Sequence, residues 1–290
     1  MTDRVATRIP ERVQHGLFDA LVRATIVSSA RAVAPSARFA LNEIFGVRGV
    51  RRYRLRRSGR TLFVRHPVMD AWVVHEVINR RAYAPPPPVQ QALERVDTPR
   101  IVDLGAHIGA STLLFLELFP TARVLALEPN PETVELLRRM VAANGLEDQC
   151  EVRQAAAGVA DGHAAMEGSS IFSHFVRPDT VEAVDLMPTL RKYQDGQAHH
   201  ADVEVVDVLP LLRGADLVKM DIEGGEWPIL RDPRFASLGI SALVLEYHPQ
   251  GAGVADTTTE VRDLLSGAGF TVGEPFEQHG ELGAMWAWRD

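Results

Sequence analysis

The sequence predicts an α/β fold built on a doubly wound, mostly parallel sheet with an antiparallel end. Three observations support this prediction. From residue 100 onwards, short β-rich apolar runs alternate with helical stretches, which is the pattern of strand–helix–strand crossovers. A tight turn with two glycines, in VDLGAHIGAST, leads from the first strand into a helix. The last two apolar runs, FTVGEP and AMWAW, indicate a closing strand pair.

The part of the chain before this alternation predicts a helical and hairpin extension. Residues 10–33 have the three- and four-residue apolar spacing of an amphipathic helix. In YRLRRSGRTLFV, residues 53–64, apolar residues alternate with arginines on both sides of a Ser-Gly turn, so a β-hairpin is predicted. WVVHEVINRRAY favours a helix, and the four prolines at 85–88 predict a stiff, extended connector. The extension therefore spans residues 1–88.

The main domain is predicted over residues 89–290. Its strands are RIVDLG, ARVLALEP, CEVRQAA, ADLVKMD and SALVLEY. The helices between them include ASTLLFLELF, PETVELLRRMVAANG and the segment Thr257–Leu265. Residues 160–200 are the least regular part, so we expect an insertion at the rim of the sheet.

The composition is that of a globular protein of 290 residues, 46% of them hydrophobic and 24% charged. One cysteine excludes an internal disulfide and fits a reducing cytoplasm. The first residues lack the basic start and apolar stretch of a signal peptide. No run of about 18 apolar residues occurs, so we expect no membrane-spanning helix and no membrane partner.

The net charge of −7 conceals opposite charges in the two parts of the chain. Residues 1–100 contain 18 arginines and 8 acidic residues, a balance of +10, and the remainder carries −17. The basic part could lie on the acidic part or meet an anionic partner, or the arginines could be a solvated face. The N-terminal helix is a candidate for joining two copies of the chain into a homodimer.

The first motif with chemical content is VDLGAHIGAST, residues 102–112. Asp103 ends a strand, and Gly105 and Gly109 flank the turn that follows. Ligands of open parallel sheets bind outside the carboxyl ends of the strands, at turns of this kind. The spacing differs from the G-x-G-x-x-G of dinucleotide-binding loops, and the acidic residue suits a ligand with positive charge. A turn that only connects strand and helix is the alternative.

The second motif is Glu128, which ends the next strand in LALEPNP, 19 residues beyond Gly109. A carboxylate at this point can accept both hydrogen bonds of a ribose diol. Together the two motifs are more specific than either one alone.

These two motifs, together with VEVVDVLPLL and ADLVKMDIEGGEWPIL, resemble the FkbM-type S-adenosylmethionine (SAM)-dependent methyltransferases. The typical family motifs are D-x-G-A-N-x-G, E-P-x-P, an alanine-containing strand end, V-x-x-L-D-D-L-L and K-x-D-x-E-G-x-E. The resemblance covers roughly residues 70–250. It implies a class I methyltransferase fold, SAM as cofactor, and methylation of a hydroxyl on a natural product, sugar or lipid-like acceptor in secondary metabolism.

The resemblance also implies which residues bind the cofactor. The glycine turn would hold the methionyl part of SAM, Glu128 the ribose, and the alanine pair after the third strand would lie near the adenine. Two positions depart from the family pattern, since His107 replaces an asparagine and Gly225 an alanine. His107 could bind the cofactor's carboxylate or face the substrate. The implied cofactor-binding residues are Asp103, Gly105, Ala106, His107, Gly109, Thr112, Glu128, Pro129, Asn130, Ala155, Ala156 and Asp221.

Binding of SAM would explain why acidic residues are concentrated in KMDIEGGEW, residues 219–227. Both the sulfonium and the α-ammonium of SAM are cations, so nearby carboxylates favour its binding. We expect Asp221 to face the transferred methyl group and Glu223 to point into the same pocket. Glu226 would begin a helix. A divalent metal ion held by Asp221, Glu223 and His248 is possible but not expected.

Another strand ends in LEYHP, where His248 is a candidate general base for an acceptor hydroxyl. A histidine at a strand end is otherwise usually structural, and a carboxylate acceptor would need no base. With Asp221 and Glu223, His248 completes the predicted catalytic set. Candidate substrate contacts are aromatic or imidazole side chains of the rim insertion and the acidic loop: Phe172, His174, Phe175 and Trp227.

Three other functions are compatible with parts of the sequence. A methyltransferase could act on a nitrogen or carboxylate of an amino-acid or peptide-derived acceptor, because the cofactor half would be the same. A nucleic-acid methyltransferase is less expected, since the strand ending at Asp221 continues I-E-G and not [ND]-P-P-[FY]. The acidic main domain would also repel phosphates. A non-catalytic protein with this fold would be expected to have lost the glycines and acids, which are present.

Overall fold

The computed structural model describes residues 28–67, 70–166 and 201–289. Its main sheet has the spatial order β12-β14-β11-β10-β4-β5-β6, with β13 paired to β14. The strands from β11 to β6 are parallel, and β14 is antiparallel to β11 and β12. The predicted α/β fold with an antiparallel end is confirmed. The strands are β1 Val33–Ala34, β2 Gly49–Leu55, β3 Thr61–His66, β4 Arg100–Leu104, β5 Arg123–Leu127, β6 Cys150–Arg153, β7 Ala156–Gly158, β8 Gly162–Met166, β9 Ala201–Asp207, β10 Leu217–Met220, β11 Ala242–Tyr247, β12 Thr271–Val272, β13 Phe276–His279 and β14 Leu282–Trp288.

The described helices connect these strands and pack on the sheet. Several start and stop where the sequence predicts, for example at Pro131, which follows the N-cap Asn130, and at Gly145, which has a φ of 63°. The helices are α1 Ser36–Ile44, α2 Asp70–Val73 (continued by a π-helical segment Val74–Arg80), α3 Pro87–Glu94, α4 Ala110–Leu118, α5 Pro131–Asn144, α6 Leu209–Leu212, α7 Glu226–Arg231 and α8 Thr257–Gly267, with a short 3₁₀ turn at Phe235–Ser237. No helix within the described ranges is both long and apolar enough to span a membrane.

The direction of winding reverses between β4 and β10, the two central strands. From β4 the chain moves to β5 and β6 on one side, whereas β10 and β11 lie on the other. In register, Lys219 of β10 lies beside Asp103 of β4. The two strands therefore end next to each other, and their loops open a crevice at the place where doubly wound sheets bind ligands.

The extension packs against the main sheet through a shared core. The predicted hairpin is confirmed as β2 and β3, and β1 adds a third antiparallel strand. One buried cluster contains Phe39 and Leu62 of the extension together with Leu113 and Leu137 of the helices on the sheet. The side chain of Asn144 both donates to and accepts from the backbone of Thr61, which fixes the hairpin to α5. The division at residue 88 remains a prediction.

Two local predictions need correction, and a third is only partly described. Residues 28–32 are helical, but Val33–Ala34 form β1, so the helix predicted over 10–33 ends earlier; residues 1–27 lie outside the described part. The proline run is only partly an extended connector, because Pro87 begins α3, where a missing N–H costs nothing. The rim insertion predicted over 160–200 remains a prediction, because residues 167–200 lie outside the described part; its first residues form β8, which pairs with β9 in a small sheet β7-β9-β8.

Candidate active site

A cavity opens at the carboxyl ends of the central strands, and it has an empty volume of about 1240 Å³, which includes space open to solvent. Its floor comes from the loops after β4, β5 and β10 and from the end of β11, and its roof from α2 and the segment that follows. Ten of the predicted site residues line it: Gly105, Ala106, His107, Glu128, Pro129, Asn130, Ala155, Ala156, Asp221 and Glu223. Phe172, His174 and Phe175 lie outside the described residues.

Gly105 is the point where the loops after β4 and β10 touch. Its φ is 76°, and an added Cβ would lie 1.9 Å from the carbonyl oxygen of Asp221. Its N–H donates to the carbonyl of Leu127. Because glycine has no side chain, the loops after β4 and β10 can meet at Gly105. The cavity also stays open on this side.

Gly109 and two neighbouring polar residues lie behind the cavity. An added Cβ at Gly109 would meet the side chains of Met140 and Leu137, so this glycine serves the packing of α4 on α5. Asp103 is fully buried and accepts hydrogen bonds from the hydroxyls of Ser111 and Thr112, both at 2.7 Å. The structure does not bring Asp103, Gly109 or Thr112 into the lining. These residues support the start of α4. The buried carboxylate of Asp103 holds the first turn of this helix in place through Ser111 and Thr112.

Glu128 presents its carboxylate to the cavity from the end of β5. One oxygen accepts from the backbone N–H of His107 at 3.0 Å and the other from that of Asn130 at 2.9 Å. Burial raises the pKa of Glu128 to about 7, although both backbone donors act in the opposite direction. The carboxylate is thus fixed in orientation, with lone pairs remaining for a diol.

Glu128→Gln is expected to weaken the binding of S-adenosylhomocysteine (SAH), the demethylated form of the cofactor that the sequence resemblance implies, about tenfold or more, since hydrogen bonds to a charged acceptor contribute about 1.5–3 kcal/mol. In the unchanged protein, hydroxyl donors favour the ionised carboxyl, so affinity should fall as the pH drops below about 7. Calorimetric titrations over a range of pH measure both effects. The glutamine variant should show a flatter pH profile, and identical profiles would rule out this role of Glu128.

Lys219 is a site residue to which the sequence analysis assigned no role. Its ammonium group is buried, donates to the carbonyls of Leu104 and Gly105 at 3.2 and 2.7 Å, and lies 3.3 Å from Asp221 Oδ2 and 3.7 Å from Asp103 Oδ1. Burial alone would lower the pKa of Lys219, but the two aspartates outweigh it and raise the pKa. The available signal was a single lysine inside the apolar run LVKM.

Tyr83, from the extension, is a second site residue that was not predicted from the sequence. Its hydroxyl lies 3.0 Å from Glu246 Oε2 and 3.2 Å from Asp221 Oδ2, and its ring centroid lies 5.5 Å from Lys219 Nζ. Burial and the neighbouring carboxylates raise the pKa of Tyr83 well above its ordinary value, so it remains a donor. Tyr83 therefore joins the ends of β10 and β11 through their carboxylates.

Tyr83→Phe is expected to lower the free energy of unfolding by about 2 kcal/mol, because the buried carboxylate of Glu246 and the partly exposed carboxylate of Asp221 lose a shared donor. Tyr247→Phe is the matched control. Its hydroxyl is bonded to that of Thr258, a neutral partner, so the loss should be about 1 kcal/mol or less. Urea denaturation measures both variants, and equal losses would show that the carboxylates do not depend on Tyr83.

The acidic loop and the LEYHP segment meet at the edge of the cavity. Asp221, Glu223 and His248 each offer a ligand atom, and these atoms all lie within 4.8 Å of one another. His248 is fully buried and does not line the cavity; its Nε2 is 3.5 Å from Glu223 Oε2. Burial acts to lower the pKa of His248, but Glu226 and other carboxylates raise it. The predicted base therefore lies behind the cavity lining, next to Glu223 and Asp221.

The buried side chains of Glu226 and Trp227 hold the acidic loop and the LEYHP segment together. Glu226 begins α7, as predicted, but its buried carboxylate also accepts from the backbone N–H of Gly224 at 2.9 Å and of His248 at 2.7 Å. It lies 3.1 Å from His248 Nδ1. Trp227 is fully buried and donates from Nε1 to the His248 carbonyl. The prediction that Trp227 walls the substrate is wrong, because its indole belongs to the core.

His107 connects the glycine turn to the extension. Arg65 donates to Asp70 through two side-chain nitrogens, and its Nη2 lies 3.1 Å from His107 Nε2. Burial lowers the pKa of His107 to about 4, with Asp70 acting against it, so the ring is neutral at neutral pH. Neither Arg65 nor Asp70 was predicted from the sequence, because nothing in their spacing shows that β3 and α2 reach this turn.

Comparison with known proteins places the chain in a family. The family described as Methyltransferase FkbM domain matches residues 103–272. Methyltransferase 1 of Beauveria bassiana is 28% identical over 142 residues, covering 45% of this chain and 57% of that protein. Methyltransferase sdnD of Sordaria araneosa is 26% identical over 204 residues, covering 60% of this chain and 74% of that protein. A precorrin-6y C5,15-methyltransferase from Geobacter metallireducens is 17% identical, with a TM-score of 0.40 over 70% of this chain and 86% of that one.

The matched region is more than half of the chain, although the chain spans just over half the length of the first relative. It contains the glycine turn, Glu128 and the acidic loop, and the strand order agrees independently with the predicted class I fold. The resemblance found in the sequence is confirmed. The chain belongs to the FkbM family of SAM-dependent methyltransferases.

Proposed function

We propose that this protein transfers a methyl group from SAM to a hydroxyl of a small-molecule acceptor, such as a natural product, a sugar or a lipid-like compound. The observation that carries the proposal is the set of carboxylates, Asp221, Glu223 and Glu246, that faces the cavity beside the glycine turn. Acceptor hydroxyls need hydrogen-bond acceptors that align them and remove their proton as the new bond forms.

The residues on the cofactor side fit SAM. Glu128 holds a carboxylate in a fixed orientation for the ribose diol, and Ala155 and Ala156 provide small side chains where the adenine would lie. Asp221 brings negative charge toward a cationic ligand. When bound, SAM supplies an electrophilic methyl group on a positively charged sulfur.

On the acceptor side, the carboxylates of Asp221 and Glu223 can orient a hydroxyl and accept its hydrogen bond; their side chains are 19% and 23% exposed. His248 can take up a proton from Glu223, because Glu226 fixes its Nδ1 and leaves Nε2 directed toward Glu223. The roof includes Trp72, Val77 and Tyr83, so a small, partly apolar acceptor suits the space between roof and floor.

The test is incubation of the purified chain with SAM and a panel of hydroxyl, amine and carboxyl acceptors, with products detected by mass spectrometry. Transfer to a hydroxyl supports the proposal, and Asp221→Asn should reduce turnover at least about tenfold. Transfer only to amines or carboxylates would favour an acceptor derived from an amino acid or peptide. Transfer to nucleic acid would overturn the small-molecule proposal. A chain that binds neither SAM nor SAH would refute the enzymatic role.

The proposal extends to the setting of the enzyme. The free, buried Cys150 supports the cytoplasm as its location, because a chain with one buried thiol needs no oxidising compartment. Secondary metabolism is proposed as its context, in line with the expected acceptors. A homodimer through the N-terminal helix also remains a proposal, since most of that helix lies outside the described residues.

A further inference from the structure

The side chains of Asp221, Glu223 and His248 form one cluster, called the cation-site cluster. In the described ranges, they are the group of histidine and acidic residues whose ligand atoms converge closely enough to hold a metal ion. Asp221 and Glu223 leave the end of β10, and His248 follows β11, the neighbouring parallel strand. The cluster therefore joins two strand ends on the acceptor side of the cavity.

The spacing of the ligand atoms suits one ion. All three lie within 4.8 Å of one another, and His248 Nε2 is 3.5 Å from Glu223 Oε2. Ligands about 2.1 Å from a common ion are about 3 Å apart when adjacent and about 4.2 Å apart when opposite. The separation of His248 Nε2 and Glu223 Oε2 lies between these two values.

The orientation of His248 is an independent observation in favour of a ligand. Glu226, fully buried and outside the cluster, lies 3.1 Å from His248 Nδ1 and also accepts from its backbone N–H. Histidines that bind metals usually donate their other ring N–H to a carboxylate, which fixes the tautomer and directs the free nitrogen at the ion. Here the other ring nitrogen, Nε2, is directed at Glu223, a second member of the cluster.

We propose that Asp221, Glu223 and His248 bind a divalent cation of the Mn²⁺ type, with two carboxylate oxygens and one imidazole nitrogen as protein ligands. Such a mixed oxygen and nitrogen set suits hard to intermediate divalent ions. The ion relieves the repulsion between two carboxylates that lie two residues apart. On the further basis of the proposed function, it also positions the acceptor oxygen at the cavity edge. Binding through Nε2 and acting as a base exclude each other, so an occupied site would leave proton uptake to solvent water.

Cation binding is tested without cofactor or acceptor. The full chain, stripped with EDTA and dialysed, is titrated with Mn²⁺ while electron paramagnetic resonance follows the free ion. We expect one ion bound per chain, and Glu223→Gln should weaken its binding at least about tenfold. Glu76→Gln is the matched control, because Glu76 is another carboxylate that lines the cavity but lies outside the cluster; it should bind Mn²⁺ like the unchanged protein.

Two results would overturn the inference: no depletion of free Mn²⁺, or Glu223→Gln and Glu76→Gln variants that titrate alike. Either would show that His248 and Glu223 form an internal ion pair. Calorimetry with SAH on the same metal-free samples keeps the two proposals apart. A chain that binds SAH but not Mn²⁺ retains the proposed function without the cation site, and a chain that binds Mn²⁺ but not SAH retains the site without the function.

Discussion

Gly105→Ala is expected to abolish measurable SAH binding and to destabilise the fold by several kcal/mol. The new Cβ would lie 1.9 Å from the Asp221 carbonyl oxygen, which is backbone and cannot rotate away. The loops after β4 and β10 would have to separate, and the lining of the cavity would change on both sides. A left-handed φ of 76° adds a penalty of about 1–2 kcal/mol for a residue with a side chain.

Gly145→Ala separates the effect of the contact with Asp221 from the effect of the left-handed φ. Gly145 also has a left-handed φ, 63°, but an added Cβ there meets nothing within 4 Å. It should therefore lose only about 1 kcal/mol and bind SAH normally. Urea denaturation and calorimetry on both variants measure the difference. If the two alanine variants behave alike, the contact between the loops is not what requires glycine at position 105.

Lys219→Met is expected to lower the free energy of unfolding by about 3–5 kcal/mol, the usual result of removing one partner from a buried ion pair. Asp103 and Asp221 would both lose their ammonium partner, and the carbonyls of Leu104 and Gly105 would lose a donor. Methionine keeps most of the volume, so the loss reports charge and hydrogen bonding more than packing. Turnover should fall to background, because Asp221 would no longer be held in position.

A double-mutant cycle tests whether Lys219 stabilises the fold through Asp221. Adding Asp221→Asn to Lys219→Met removes one of the two carboxylates that lose their cation in the single variant, so the double variant should lose clearly less stability than the sum of the two single variants. Strict additivity would show that Lys219 stabilises the fold through Asp103 and the carbonyls alone. Chemical denaturation of the four proteins completes the cycle.

The order of strands and helices in the main sheet was predictable because each element has a strong local signal. RIVDL and LVKM are buried parallel strands, and such strands are nearly continuous apolar runs. The ends of α5 follow from Pro131 and Gly145. By contrast, CEVRQAA was predicted as one strand, but it divides into β6 and β7, which pair in different sheets. No local signal distinguishes one sheet partner from another.

The site was predictable where residues follow strands and was missed where distant segments meet. Glu128 and Asp221 stand directly after apolar runs, so their place at the cavity follows from the sheet alone. Tyr83 lies 138 residues before Asp221 in the chain, and only the tertiary packing brings them together. Asp103 shows the reverse error: its motif was recognised, but its side chain contacts Ser111, Thr112 and Lys219 and does not itself line the cavity.

The position of the cavity roof in the sequence affects how the preference for an acceptor can change. Trp72, Val77 and Tyr83 precede the region matched by the family, which begins at residue 103. The roof over the proposed acceptor side is therefore encoded in a stretch of sequence separate from the glycine turn and Glu128. Substitutions confined to residues 72–77 can reshape the space offered to the acceptor and leave the glycine turn and Glu128 unaltered. Related chains could thus diverge in what they methylate while retaining the same methyl donor.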